Sequence, residues 1–308
     1  MEVKRNQWEG WLYLLPTIIL LAIFTIYPLF QTFFMSFCEN YNYMKDTWDS
    51  IGIGNFKRIF SGPSKNFLKY LKTTCIIVFV SVPASIIISL LIAVGLNSIK
   101  KFTKLYQTIF FMPYVTNSIA IGMVFSVMFA GDKSIVNTVL VSLNLSPVNW
   151  LGGGMSAQGY YPSYFYEMLV LLIFIVWHSL PFKILVLLSG LQSIDKQYYQ
   201  AAQIDCASRT TVLFKITMPL LSPQIAFLTT TSFIGAFKEY SSVVGLFGPS
   251  QGAVGKKNDM KTIVGYIYES LQDGMNGAVG EACAASVVLF FIIMLFTLLK
   301  NFIGKRQN

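Results

Sequence analysis

YYQAAQIDCASRTTVLFKITMPLLSP, residues 198–223, lies between two long apolar runs, each of which could cross a bilayer. It carries an acid, Asp205, two bases, Arg209 and Lys215, a pair of glutamines and a row of small and hydroxyl residues. Its local reading is helix, turn, helix. Ser193 or Asp195 can cap the first helix. Tyr198, Ala201, Ala202 and Asp205 recur at i, i+3, i+4 and i+7 and so share one face, where small alanines let another surface come close. Ser208 can cap a second helix through about Thr217, and Pro219 and Pro223 mark the turn into the next apolar run. From amphipathicity alone, a helix lying on lipid headgroups remains open as an alternative.

The rest of the chain sets the context. Of 308 residues, 54% are hydrophobic and 12% charged, with a mean hydropathy of +0.58, whereas a soluble domain carries about 25% charged residues. This is a polytopic membrane protein, all-α, because backbone groups in lipid must be paired within the segment. Spans of about 20 apolar residues are predicted at Trp11–Met35, Thr73–Leu96, Leu105–Phe129, Met168–Leu191, Leu220–Phe237 and Ala282–Leu299. Pro28, Pro83, Pro113 and Pro181 lie in or near them as kinks or helix starts. The basic start and long aromatic run at the N-terminus read as an uncleaved first span. One membrane domain over 1–308 is expected, with no soluble part large enough to fold alone.

The formal net charge of +9 fits bases flanking spans against anionic lipid and gives no reason to invoke nucleic acid. Six spans place both termini and the loops at 97–104 and 192–219 on one side. That side holds Lys4, Arg5, Lys100, Lys101, Lys104, Lys196, Arg209, Lys215, Lys300, Lys305 and Arg306. The other side holds nearly as many bases but over about twice the length, so the positive-inside rule favours the first side as the cytoplasmic one by density, with segments 38–72, 130–167 and 238–281 outside. The stretch LGGGMSAQG, 151–159, reads as a flexible outer loop. Cys38, Cys75, Cys206 and Cys283 are scattered, as packing residues are, and form neither a disulfide framework nor a zinc site. There is no phosphate-cradling Gly-rich loop, one histidine, His178, and no HExxH. No catalytic residue, metal site or cofactor of its own is expected, and the chain does not read as an enzyme.

Spacing within the opening stretch carries a resemblance. Gln200-Ala201-Ala202 is followed three residues later by Cys206, nine residues on by Ile216, and then by Met218-Pro219. This resembles the "EAA" loop of permease subunits in binding-protein-dependent ABC importers, with Asp205, Ala207 and Ser208 fitting its longer form. Gln200 stands where the family has an acid and Cys206 where it has glycine; the second departure implies a turn that needs no positive φ or accepts strain. The resemblance runs from about Trp11 to Leu299. LLPTIILLAIFTIYPLFQTFFMSF (14–37), GIGNFKRIF (52–60), LYQTIFFMPYV (105–115), IVNTVLVSLNLSPVNWL (135–151), GYIYESL (265–271) and NGAVGEACAASVVLF (276–290) fall in the order of sugar permeases.

The resemblance implies a type I importer permease of the maltose, lactose, raffinose and glycerol-phosphate group. Its six helices would carry a cytoplasmic coupling helix within about 193–219. Tyr198, Gln200, Ala201, Ala202, Asp205, Cys206 and Ala207 would dock on an ATPase. The implied partners are a second homologous permease, two ATPase subunits that bind ATP and Mg, an extracellular substrate-binding protein and a carbohydrate. The implied location is a bacterial cell membrane with both termini cytoplasmic. Polar groups on span faces are the candidates for the substrate path. These are Ile175, His178, Ser179 and Phe182 in the fourth span, Ser232, Gly235, Ala236 and Glu239 in the fifth, and Tyr114 after Pro113. In the maltose-type permeases that the chain resembles, matching positions line the sugar cavity. Helix packing is the competing role for the small residues. A stand-alone secondary transporter or channel, or a membrane scaffold, is the alternative function; the former often shows inverted repeats, and none is evident here.

Overall fold

The computed structural model describes residues 7–42, 44–61, 66–99, 103–151, 163–252, 259–272 and 278–305. Lys4, Arg5, Lys100, Lys101 and Arg306, residues 152–159 of the glycine-rich stretch and residues 276–277 lie outside them. Among the described residues the chain is helical apart from one small antiparallel ladder and the connections. The first span is α1 (Gln7–Leu21) and α2 (Tyr27–Phe37), joined by a π-turn at Ala22–Ile26 just ahead of Pro28. The other long helices are α4 (Phe67–Ser98), α8 (Tyr164–Ser193) and α15 (Ala278–Lys305). These four are long and apolar enough to cross a membrane.

The third and fifth predicted spans are each broken, and counting each broken pair once gives six. Helices α5 (Thr103–Val115) and α6 (Ser118–Phe129) meet at 104°. Pro113 lacks the N–H that would bond one turn back, and the Thr116 hydroxyl bonds the Pro113 carbonyl at 2.8 Å. Asn117 then starts a new helix, its side chain accepting from the N–H of Ile119 at 2.9 Å and of Ala120 at 3.4 Å. In the fifth, the helical stretch Arg209–Leu220 meets α12 (Ser222–Phe237) at 68°. The hinge is Leu221, with φ −86° and ψ 0°, held between Pro219 and Pro223.

The chain divides into two compact units. One holds the described residues up to Leu68 with Tyr266–Ile292. Here β1 (Cys38–Glu39) pairs antiparallel with β2 (Ser50–Ile51), and α3 (Gly54–Ser61) follows. The Glu39 carboxylate accepts from Gly54 N–H at 2.8 Å and from the Ser50 hydroxyl at 3.1 Å. A carboxylate at a helix N-terminus is favoured by the helix dipole, and a Cβ at Gly54 would stand 2.5 Å from it. The fully buried Asn55 donates to the carbonyls of Ser36 at 3.0 Å and Cys38 at 2.9 Å. A Cβ at Gly280 would come within 2.6 Å of Asn55 Nδ2, so the segments at 52–60 and 278–290 meet at this amide. Cys38 and Cys283 are free thiols packed with Met35, Tyr41 and Val279. Burial, and the nearby Asp46 carboxylate, raise the Cys38 thiol's pKa and keep it protonated.

The other unit holds Lys69–Gly265 and the chain from Ile293. One core cluster joins Ile77, Leu171, Ile175, Val243, Leu246 and Met260. A second joins Leu90, Ala93, Ile184, Leu187, Leu221 and Leu228. The segment 238–281, predicted as an outer connection, contains α13 (Ser241–Phe247) and α14 (Ile263–Gln272). At seven residues, α13 is far shorter than the ~20 residues a span requires. It crosses α6 backbone to backbone: a Cβ at Gly122 would stand 2.7 Å from Gly245, and one at Gly245 would stand 3.0 Å from the Ile119 carbonyl oxygen.

That crossing sets a stability test. Gly245→Val should destabilise the protein by about 1–3 kcal/mol, the usual cost of overpacking, and lower its melting temperature in detergent. Gly235→Ala, where nothing lies within 4 Å of the new Cβ, should be neutral or stabilising by up to about 1 kcal/mol through helix propensity.

Candidate functional site: the 195–220 elbow and the span faces

Of the two sequence candidates, Asp195 caps α9 (Lys196–Ile204), accepting from Gln197 N–H at 2.9 Å. The Ser193 hydroxyl instead bonds the Gly190 carbonyl at 2.7 Å. Helix α9 ends in a left-handed residue, Cys206, at φ +50°. Ala207 N–H donates to the Ala202 carbonyl at 2.9 Å and Cys206 N–H to that of Gln203 at 3.1 Å. This is a Schellman closure, in which glycine is the usual left-handed residue; here cysteine accepts the strain. Ser208 then caps α10 (Arg209–Val212), accepting from Thr211 N–H at 3.2 Å. A π-turn at Leu213–Thr217 and α11 (Met218–Leu220) carry the helix to the 68° bend.

Exposure divides the predicted docking residues. Tyr198, Gln200, Ala201, Asp205 and Cys206 are exposed and Ala207 half-buried, but Ala202 is only 5% exposed. It faces the chain itself. Tyr199, three residues earlier on the same face, reaches Thr217 with its hydroxyl at 3.4 Å, so Tyr199 and Ala202 form the inward side of α9. Two apolar side chains that the sequence reading passed over stand out instead: Ile204 is 83% exposed and Phe214 64%. Their signal was an isoleucine and a phenylalanine inside an otherwise polar segment.

The span-face candidates separate into groups. Tyr114 stacks on Phe182 with ring centroids 5.9 Å apart and planes 17° apart. His178 lies against Phe174 at 5.8 Å, and its Nε2 is buried without a hydrogen-bond partner among the described residues. The Glu239 carboxylate acts electrostatically on that imidazole. Ser179 donates to the Val176 carbonyl at 2.9 Å, leaving its lone pairs to accept. Ile175 belongs to the apolar core, and Ala236 is buried. Ser232 is half-buried and Gly235 open.

Glu239 is not on the α12 face that its spacing predicted. The helix ends at Phe237, and Glu239 Oε1 accepts from Ser242 N–H at 3.0 Å, at the start of α13. The α5–α8 crossing leaves two cavities, of about 220 and 490 Å³, that share Phe111 and Leu185 in their linings. One residue of α8 was missed by the sequence reading: Lys183 is only 6% exposed and makes no hydrogen bond or ion pair with the described residues.

Residues 59–308 match the family described as binding-protein-dependent transport system inner membrane component. The chain belongs to this family. A probable ABC transporter permease of Mycoplasma genitalium is 30% identical, the match covering 92% of this chain and 82% of the relative. The lactose transport system permease protein of Rhizobium radiobacter is 28% identical over 97% and 95%. The arabinooligosaccharides transport system permease protein of Halalkalibacterium halodurans is 31% identical over 92% and 83%. A crystal structure of a bacterial alginate ABC transporter, in complex with alginate pentasaccharide-bound periplasmic protein, includes a chain that superposes with TM-score 0.79. It covers 98% of this chain and 96% of that one at 23% identity, which speaks to the fold alone. The protein is therefore a multi-pass membrane permease of the type I fold.

Three substitutions at two sites read the permease's unusual positions. Cys206→Gly should raise stability by about 0.5–1 kcal/mol by removing left-handed strain, whereas Cys206→Val should lower it, β-branched residues being worst in that conformation. Lys183→Met should leave the melting temperature unchanged or raise it, because it removes an unpaired ammonium from a largely buried side chain while keeping that side chain's length. Melting curves of the purified variants in detergent check both.

Proposed function

We propose that this permease forms, with a second homologous permease, the membrane path for a carbohydrate, and that 195–220 is the cytoplasmic handle through which separate ATPase subunits drive it. The exposed capped elbow carries this reading: two short helices fixed at a closed turn, presenting Ile204 and Phe214 with Tyr198, Gln200, Ala201 and Asp205. Exposed apolar side chains on a polar rim suit a protein partner. Family membership supports an ATPase as that partner, which would hold the ATP and Mg. Lactose and arabinooligosaccharides in the names of relatives favour a sugar, delivered by an external binding protein. Both termini then lie in the cytoplasm.

Sugars offer apolar ring faces and many hydroxyls. The Tyr114–Phe182 pair supplies an aromatic face, and His178, Ser179 and Glu239 supply hydrogen-bonding groups, with Ser232 and Gly235 on the facing span. Ala202 supports the elbow from within and is not itself a contact.

Three measurements test this reading. Ile204→Asp should cut ATPase recovery with the purified permease and reduce sugar uptake at least tenfold, with membrane abundance unchanged; full recovery of both would refute the handle. A maleimide should reach an Arg209→Cys substitution only from the cytoplasmic side, and labelling in sealed cells would reverse the topology. Glu239→Gln keeps the bond to Ser242 but removes the charge. It should raise the half-saturating sugar concentration by about tenfold or more, since a charge-assisted hydrogen bond contributes about 1.5–3 kcal/mol. Uptake per permease identical to the parent's would remove Glu239 from the path.

A further inference from the structure

Helices α12 and α15 leave a groove of about 320 Å³ between them. Its floor is aromatic: Phe233 and Phe296 stack at 6.4 Å with planes 8° apart, and Phe237 meets Phe296 at 5.4 Å. Phe79 of α4 packs against Phe233 at 5.9 Å and Phe296 at 5.4 Å, which fixes that floor. Ile234 and Ile293 add apolar wall. Among the described residues, the one charged group in the lining is Lys300. Its Nζ donates to the Ala226 carbonyl at 2.9 Å and to Thr230 Oγ1. The Thr230 hydroxyl in turn donates to the same carbonyl at 2.9 Å. The ammonium is thus pinned to α12 by two neutral acceptors. It keeps a third N–H, and no carboxylate pairs with it among the described residues.

An apolar groove alone selects nothing in a bilayer, because lipid tails are as apolar as leucine. A fixed cation at its end does select, since basic pockets between membrane helices bind anionic headgroups. In the sequence the apolar run from Ala282 ends at Leu299, so Lys300, the next residue, stands at headgroup depth. We propose that this groove binds one anionic phospholipid, an acyl chain lying over Phe233 and Phe296 and the phosphodiester meeting the free N–H of Lys300. A zwitterionic lipid offers the same chain and phosphate but carries its own cation, so the site prefers a net negative headgroup. The inference does not depend on the sugar reading.

The test uses the importer complex containing the full chain, delipidated in detergent and titrated with phosphatidylglycerol or phosphatidylcholine. Lipid retained on the permease is read by native mass spectrometry. The parent should retain phosphatidylglycerol about tenfold better than phosphatidylcholine. Lys300→Gln should lose that preference and Lys300→Arg should keep it. Should Lys300→Gln fail to assemble, Ile234→Trp fills the groove with the cation intact and should reduce retention of both lipids. Equal retention of the two lipids by the parent overturns the proposal, as does an unaltered preference in Lys300→Gln or undiminished retention in Ile234→Trp. So does displacement of the lipid by inorganic phosphate at equal concentration, which would assign the cation to a free anion. Efficient cross-linking of a Leu299→Cys substitution to the second permease chain would make the groove a protein contact and overturn it too.

Discussion

Every backbone amide within a bilayer must find a partner in the protein. In this chain that requirement governs the breaks as much as the helices. Where α5 ends, the Thr116 hydroxyl takes up the Pro113 carbonyl and Asn117 takes up the first N–H groups of α6. The elbow outside the spans is closed in the same way: where α9 ends, the Ala207 and Cys206 N–H groups bond the carbonyls of Ala202 and Gln203. At the 68° bend, Leu221 N–H still reaches the Thr217 carbonyl at 3.0 Å and Ile225 N–H reaches Leu221 at 3.0 Å. The changes of direction are thus bonded structures. Their angles are held by hydrogen bonds and proline rings.

The same rule explains what the sequence made legible. Long apolar runs can only be helices in lipid, so α4, α8, α15 and the first span follow from composition. The family followed from the spacing of Gln200, Ala201, Ala202, Cys206, Ile216 and Pro219. Asn117 ahead of SIAIGMVF was an N-cap signal, but it sat inside an apolar stretch that read as one crossing. The seven residues of α13 were too few to register as a helix in a chain read for spans.

Facing was harder to read than existence. Ala201 and Ala202 are chemically alike, and only the fold-back of Tyr199 onto Thr217 decides which one turns inward. Ile175, His178, Ser179 and Phe182 do share a helical stripe, yet the stripe is wide enough for Ile175 to enter the core while Phe182 meets Tyr114. Glu239 fits the spacing of α12, but Lys238 already ends that helix and the carboxylate turns to Ser242. Periodicity assigns a face only as far as the helix runs, and it does not say which neighbour covers that face.

As the proposed handle for an ATPase, the 195–220 elbow must not yield before the load does. Nine residues of isolated helix are unstable in water, so α9 depends on what fixes its ends and its inner side. Asp195 closes the first turn, the left-handed Cys206 closes the last, and Tyr199 with Ala202 seats the helix on the stretch leading to Thr217. From Ser208 the chain runs through helical turns to Leu221, whose side chain is buried in the apolar cluster of α4, α8 and α12. A push on Ile204 or Phe214 therefore meets capped helices and then a packed core, with no slack loop between. Coupling over distance needs rigid elements joined at defined points. Here the defined points are the Cys206 elbow and the Leu221 bend, and the strain accepted at Cys206 is the cost of keeping the first of them closed.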